Sequence, residues 1–227
     1  MSAALTRLIR EQLISLDGVK KQGPVRRASV VYSADSVSDC VYLLDSGYIK
    51  IVQKGDDGKE VLLSIIAPGQ IFGEHAITFS GSRNAWAEVL QDGILYEIPR
   101  QIFLDFCRIN PEAWQLLCEV LLERSRQSAE KIGMLCLKDV ETRILHYLCS
   151  LSTVFGITPE TGQEYSLPLS QSELASLIGA TRETTSTTLN GLARRGLVKL
   201  GRRMLTVSSQ DALRLAASTK SARTAQV

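Results

Sequence analysis

The sequence predicts an α+β chain with an N-terminal β jelly roll, a long helix and a C-terminal winged helix-turn-helix. Three observations carry this. Residues from about 25 to 98 form short β-branched or aromatic runs of period two, cut by turn residues. Beyond Pro99 the period becomes helical, and a stretch without proline runs from Pro111 to about Leu137. The last third reads as helix, glycine turn, helix and a β-hairpin.

Composition sets the frame. The 227 residues are 44% hydrophobic and 22% charged, as in a soluble globular protein. No apolar run approaches the roughly 20 residues that cross a bilayer. The opening "MSAALTRLIREQLISLD" mixes charge into its apolar pattern, so it reads as an amphipathic helix rather than a signal peptide. A cytoplasmic protein without membrane contact is expected. The five cysteines are scattered with no C-x-x-C pair, which suits reduced, mostly buried thiols. His75 and His146 lie far apart, so no histidine-rich metal site is expected. Residues 1–139 hold 16 Lys and Arg against 18 Asp and Glu, whereas residues 140–227 hold 10 against 6. A basic last third on a near-neutral body suits contact with a polyanion.

The elements follow in order. "SVVYSA", "CVYLLDSGYIKIVQKG", "EVLLSIIAPGQ", "AEVL" and "ILYEIP" are the strand candidates. Breaks are expected at Asp45-Ser46-Gly47, Asp56-Asp57-Gly58, Pro68-Gly69 and Gly93, with Asp57-Gly58 the strongest hairpin signal. "RQIFLDFCR" is a short helix, and Pro111 opens the long one, where its missing N–H costs nothing. On that helix Trp114, Leu117, Leu121, Ser125, Ser128, Ile132 and Leu135 form a seam of mean spacing 3.5, which predicts packing against a second copy. Asp139 is the expected N-cap of "VETRILHYLCSLSTVFG", and "ITPETGQEYSLP" is a loop or hairpin. The expected domains are 1–110, a dimer helix over 111–138, and 139–227.

The most specific stretch is "LSQSELASLIGATRETTSTTLNGLARRGLVKLGRRMLTV". Ser170-x-x-Glu173 is a capping box, with Gln171 following it. Gly179 permits the tight turn, and Thr181 caps a second helix that Gly196 stops. "LVKLGRRMLTV" is a hairpin turning at Gly201-Arg202. Such a module sends the first turn of its second helix into the DNA major groove. There Arg182 suits guanine O6 and N7, and Glu183 suits cytosine N4–H. Thr181 and Thr184 are placed for phosphates, and Arg202 and Arg203 for the backbone.

Between the strands, "FGEHAITFSGSRNAWAEV" sets Glu74 and Arg83 on either side of a short polar loop. The two read either as a structural ion pair or as two halves of a ligand site. No nucleophile or metal set lies nearby, so an enzyme is not expected. A cupin-type metal oxygenase fails for want of histidines.

Together "DSGYIKIV", "PGQIFGE", "SRNAWA", "EKIGMLCLKDVETRI" and "TRETTSTTL" resemble, in order and spacing, the Crp/Fnr (cyclic-AMP receptor protein/FNR) family of bacterial transcription regulators over residues 25–207. The resemblance implies a cyclic-nucleotide-binding-type jelly roll with cyclic AMP or another cyclic nucleotide as effector. It also implies a homodimer on a palindromic operator, with contact to RNA polymerase through the loop at 152–166. Gly73, Glu74, Arg83, Asn84, Ala85 and Ser128 would hold the effector. Arg83 would fork a cyclic phosphate, Glu74 would accept from a ribose 2′-hydroxyl, and Gly73 would admit close approach.

Four departures stand out. Asn84 replaces the cassette serine or threonine, and the loop before Arg83 is one residue shorter. Ser128-Ala129 stands where cyclic-AMP-responsive members present Thr-Ser to the adenine. Thr187 replaces a third base-reading arginine. These leave open an effector-independent regulator with an empty cassette, or one using redox or haem chemistry. His75 is the only haem-ligand candidate in the barrel, and the clustered cysteines of an iron–sulfur member are missing near the N-terminus. A regulatory nucleotide module serving a partner enzyme is a further alternative that the winged motif disfavours.

Overall fold

The computed structural model describes residues 3–78, 81–155, 165–201, 204–209, 212–214 and 216. The chain divides into two compact units, Met1–Ser128 and Ala129–Val227.

In the first unit, α1 (Ala3–Ile14) precedes β1 (Lys20–Val25), β2 (Val30–Tyr32), β3 (Cys40–Lys54), β4 (Glu60–Ile66) and β5 (Ile71–Phe72). A 3₁₀ turn (Glu74–Ile77), β6 (Trp86–Pro99) and α2 (Arg100–Ile109) follow. The strands form one antiparallel sheet ordered β1-β6-β3-β4, with β2 also on β6 and β5 on β3. Alternation along β3 sorts its side chains between two cores. Cys40, Tyr42 and Leu44 join Ile49, Ile66, Phe72, Val89 and Leu95 in one cluster. Val41 and Leu43 join Ile9, Leu13, Ile98, Phe103 and Phe106 in the other, beneath the helices.

Two expected turns are not turns. Asp45-Ser46-Gly47 lies inside β3 and Gly93 inside β6, so "AEVL" and "ILYEIP" belong to one strand. The β3–β6 register shifts around Ser46 and Tyr48, the signature of bulges that bend a long strand. The glycines serve close backbone approach: a Cβ on Gly93 would lie 1.9 Å from the Ser46 carbonyl oxygen. The Asp57-Gly58 hairpin and the Pro68-Gly69 turn stand where expected, both glycines at positive φ.

Helix α3 (Pro111–Leu137) begins at its proline, and its first turns belong to the barrel's helical core. This corrects one seam residue. Leu117 is 4% exposed, packed with Ala113 against Phe103 and Phe106, and is not available to a second copy. Trp114, Leu121, Ser125, Ser128, Ile132 and Leu135 are exposed, and so is Cys118. With Cys118 in place of Leu117 the positions 114, 118, 121, 125, 128, 132 and 135 make an unbroken four-three repeat. Cys136 is exposed as well, so the thiols are less uniformly buried than expected.

In the second unit, α4 (Val140–Val154), β7 (Tyr165–Leu167), α5 (Gln171–Ile178), α6 (Arg182–Arg194), β8 (Val198–Gly201) and β9 (Met204–Val207) follow. Asp139 caps α4, its Oδ1 accepting from the Thr142 N–H at 2.8 Å. Leu174, Ile178, Thr185, Leu189 and Leu192 are buried between the helices. The wing is three-stranded, β7-β9-β8, and β7 comes from the stretch expected to be loop or hairpin. Residues 157–164 of that stretch, and Gly156, Arg202 and Arg203, lie outside the described residues.

Candidate effector cassette and nucleic-acid interface

The cassette is built where β5 runs into the 3₁₀ turn. Gly73 stands there at φ 75°, a left-handed conformation that glycine adopts without steric cost. Its missing side chain also matters, because a Cβ would meet Arg83 Nη1 at 2.6 Å and Tyr42 Cδ2 at 3.0 Å. The segment before Arg83 is laced to residues 35–38. Ser38 N–H donates to the Gly81 carbonyl at 2.9 Å, Arg83 N–H to Ser36 at 3.0 Å, and Asp35 N–H to Arg83 at 2.9 Å. Val37 bridges Ser82. The backbone therefore aims Arg83 inward, and the residue is 3% exposed.

Glu74 and Arg83 do not pair with each other, which corrects the ion-pair reading. Arg83 donates from Nη1 to the Gly73 carbonyl at 2.9 Å and from Nη2 to the Cys40 carbonyl at 2.6 Å. Its Nε is buried with no hydrogen-bond partner among the described residues. The guanidinium carbon lies 4.2 Å from the centre of the Tyr32 ring and 5.5 Å from that of Tyr42. Glu74 pairs instead with Arg124 of α3 at 2.5 Å, and Arg124 also donates to the Ile71 carbonyl. Burial acts to raise the Glu74 carboxyl, but the Arg124 guanidinium outweighs it and holds the carboxyl below its ordinary range. Ala85 is buried beside Arg83, whereas Asn84 and Ser128 are exposed. His75 is half-buried, and among the described residues no three His, Cys, Asp or Glu side chains group as a metal would need.

Tyr32, Arg124 and Arg143 were not singled out from the sequence. Arg124 is one of several charged residues on a long helix, and only folding brings it to Glu74. Tyr32 reads as an ordinary strand residue.

In the second unit Ser170 and Glu173 close the capping box, the Ser170 Oγ accepting from the Glu173 N–H at 3.1 Å. Ser170 thereby spends its hydroxyl on the cap and on Glu173 Oε2 at 2.7 Å, while Gln171 stands half-exposed beside it. Gly179 ends α5 at φ 63°. Arg143 of α4 holds that turn, donating to the Ile178 carbonyl at 2.7 Å. Thr181 caps α6, accepting from the Thr184 N–H at 3.1 Å. Arg182, Glu183 and Thr184 are exposed on the first turn of α6, and Thr187 is exposed one turn on. The N-terminal end of α6 therefore offers a guanidinium, a carboxylate and hydroxyls together, the equipment for reading base edges and phosphates.

Two family models match the chain. The cyclic nucleotide-binding domain covers residues 23–110, and the Crp-like helix-turn-helix domain covers 142–216. Among similar proteins, a CRP-like cAMP-activated global transcriptional regulator of Mycobacterium tuberculosis is 29% identical over 187 residues, 82% of this chain and 84% of that one. An anaerobic regulatory protein of Haemophilus influenzae is 23% identical over 207 residues, 91% of this chain and 80% of that one. The structure of the c-di-GMP-responsive global regulator CLP of Xanthomonas campestris shares the fold, with a TM-score of 0.75 at 22% identity over 89% of this chain and 99% of that one. With the nucleotide-binding fold and the helix-turn-helix matched in this order on one chain, the protein belongs to the Crp/Fnr family of DNA-binding transcription regulators.

Proposed function

We propose that the chain is a homodimeric regulator of the cytoplasm whose barrel takes a cyclic nucleotide and whose paired α6 helices read a palindromic operator. The observation that carries the effector reading is the buried Arg83 guanidinium, which has no carboxylate partner among the described residues. A buried charge held by neutral carbonyls and ring faces, with no counter-ion, is costly, and an anion would relieve it. Arg83 would then meet the phosphate, with Asn84, Ala85 and Gly73 around it. Glu74 would meet the ribose, and Ser128 the base. The likeness to a cAMP-activated regulator supports this choice of ligand.

The exposed four-three seam of α3 supports self-association, and effector binding beside it would bias how the DNA-binding domains are set. In this reading the working parts are 1–110, 111–138 and 139–227. Gln171, Thr181 and Thr184 hold phosphates beside Ser170, whose hydroxyl serves the cap; Arg182, Glu183 and Thr187 face bases, and Arg202 and Arg203 reach the backbone from the wing. The stretch at 152–166, of which 156–164 lie outside the described residues, meets RNA polymerase. No catalytic role is assigned to any residue.

A second reading has one observation in its favour. Both Arg83 Nη groups already have carbonyl partners, as an effector-independent regulator with a structural arginine would require. Calorimetric titration of the full chain with cyclic AMP and cyclic GMP separates the two. The first reading expects saturable heat with at least one nucleotide, weakened about 10-fold or more in Arg83→Ala, since a charge-assisted contact is among the strong ones. No heat with either nucleotide supports the second reading.

A further inference from the structure

The barrel arginine is closed over by the protein's own aromatic side chains. Tyr32 of β2 stacks with Tyr42 of β3 at 5.8 Å and with Phe72 of β5 at 6.2 Å, and Tyr42 and Phe72 stack at 5.2 Å. Arg83 rests on this group, nearest to Tyr32. Burial differs among them. Arg83 is 3% exposed and Tyr42 7%, while Tyr32 is only partly buried and is the more accessible ring.

A guanidinium offers two faces and an edge of N–H groups. In Arg83 both Nη groups have carbonyl partners, one face lies against Tyr32, and Nε remains unpartnered. A phosphate arriving over that face must displace the ring before it reaches Nε. The ring holds its place through the attraction of its π face for the guanidinium, an interaction that strengthens when water is excluded. The Tyr32 hydroxyl has no part in that attraction, so phenylalanine would serve equally.

We propose that Tyr32 is a specificity-determining lid on Arg83: its ring controls access of phosphate-bearing ligands to the guanidinium and so sets the barrel's affinity for them. The affinity part rests on the reading of the barrel as an effector site, whereas the access part does not.

The test uses the full chain as wild type, Tyr32→Ala and Tyr32→Phe. Phenylglyoxal, which modifies accessible arginine, is followed at Arg83 by peptide mass spectrometry, and cyclic AMP is titrated calorimetrically in parallel. Tyr32→Ala is expected to raise the modification rate at Arg83 and to tighten cyclic AMP binding, each by about 30-fold, the factor one desolvated cation–π contact corresponds to. Tyr32→Phe is expected to match wild type in both. Should Tyr32→Ala not fold, Tyr32→Leu, which lacks a π face, carries the same expectation. Modification no faster in the opened variant than in wild type overturns the lid. Equal opening by Tyr32→Phe overturns it too, since the hydroxyl rather than the ring would then close the site. Faster modification without nucleotide heat in any variant sinks the cyclic-nucleotide reading and leaves the lid standing.

Discussion

Glu74 is held by a guanidinium from α3, and its ionisation is therefore tied to stability. Its carboxyl titrates below the ordinary range in the folded chain and within that range in the unfolded chain. The stability it contributes is complete above the unfolded value and is lost as pH falls through the folded one. Wild type should thus lose melting temperature more steeply below about pH 4.5 than Glu74→Gln does. Parallel melting curves for the two proteins across that window would show that the Arg124 contact does not hold the turn. At this scale the sequence displayed the cassette motif and little of its wiring. Gly73, Glu74 and Arg83 could be found because they lie close along the chain. Their actual partners, Arg124, Cys40 and Tyr32, come from three other elements. Two of those contacts use a backbone carbonyl or a ring face, which no residue pattern advertises.

At the scale of elements, α3 has two faces with different duties. Leu117 is core, and Leu121, one turn on, is 41% exposed on the seam. Leu117→Ala should cost about 2–5 kcal/mol of stability, the usual range for a buried leucine. Leu121→Arg should leave the melting temperature of the barrel nearly unchanged and convert a dimer to a monomer by light scattering. If Leu117→Ala were the variant that dissociated the protein, the four-three seam through Cys118 would be misassigned. The helix itself was readable from Pro111 and its apolar spacing. The choice between Leu117 and Cys118 was not, because adjacent residues on a helix both fit a mean spacing of 3.5 until α2 is seen to cover one of them. The long strands show a similar ambiguity. Gly47 and Gly93 look like turn glycines, yet the positive φ of Gly47 and the missing side chain of both serve a bulge inside continuous strands. By contrast, the helix-turn-helix was legible almost residue by residue. Its capping box, its Gly179 turn and its Thr181 cap are local devices that work within a few positions of the chain.

For the whole molecule, the chain joins a sensor-type barrel to a DNA-reading module through one 27-residue helix that exposes an apolar repeat. Self-association along that helix would relate the two α6 reading ends by two-fold symmetry, and the DNA they choose must carry the same symmetry. Selection of binding sites from random duplex DNA by the full chain tests this most directly. The account predicts enriched sites made of two inverted half-sites about one helical turn apart, centre to centre roughly 34 Å. Enrichment of single or asymmetric sites would contradict it.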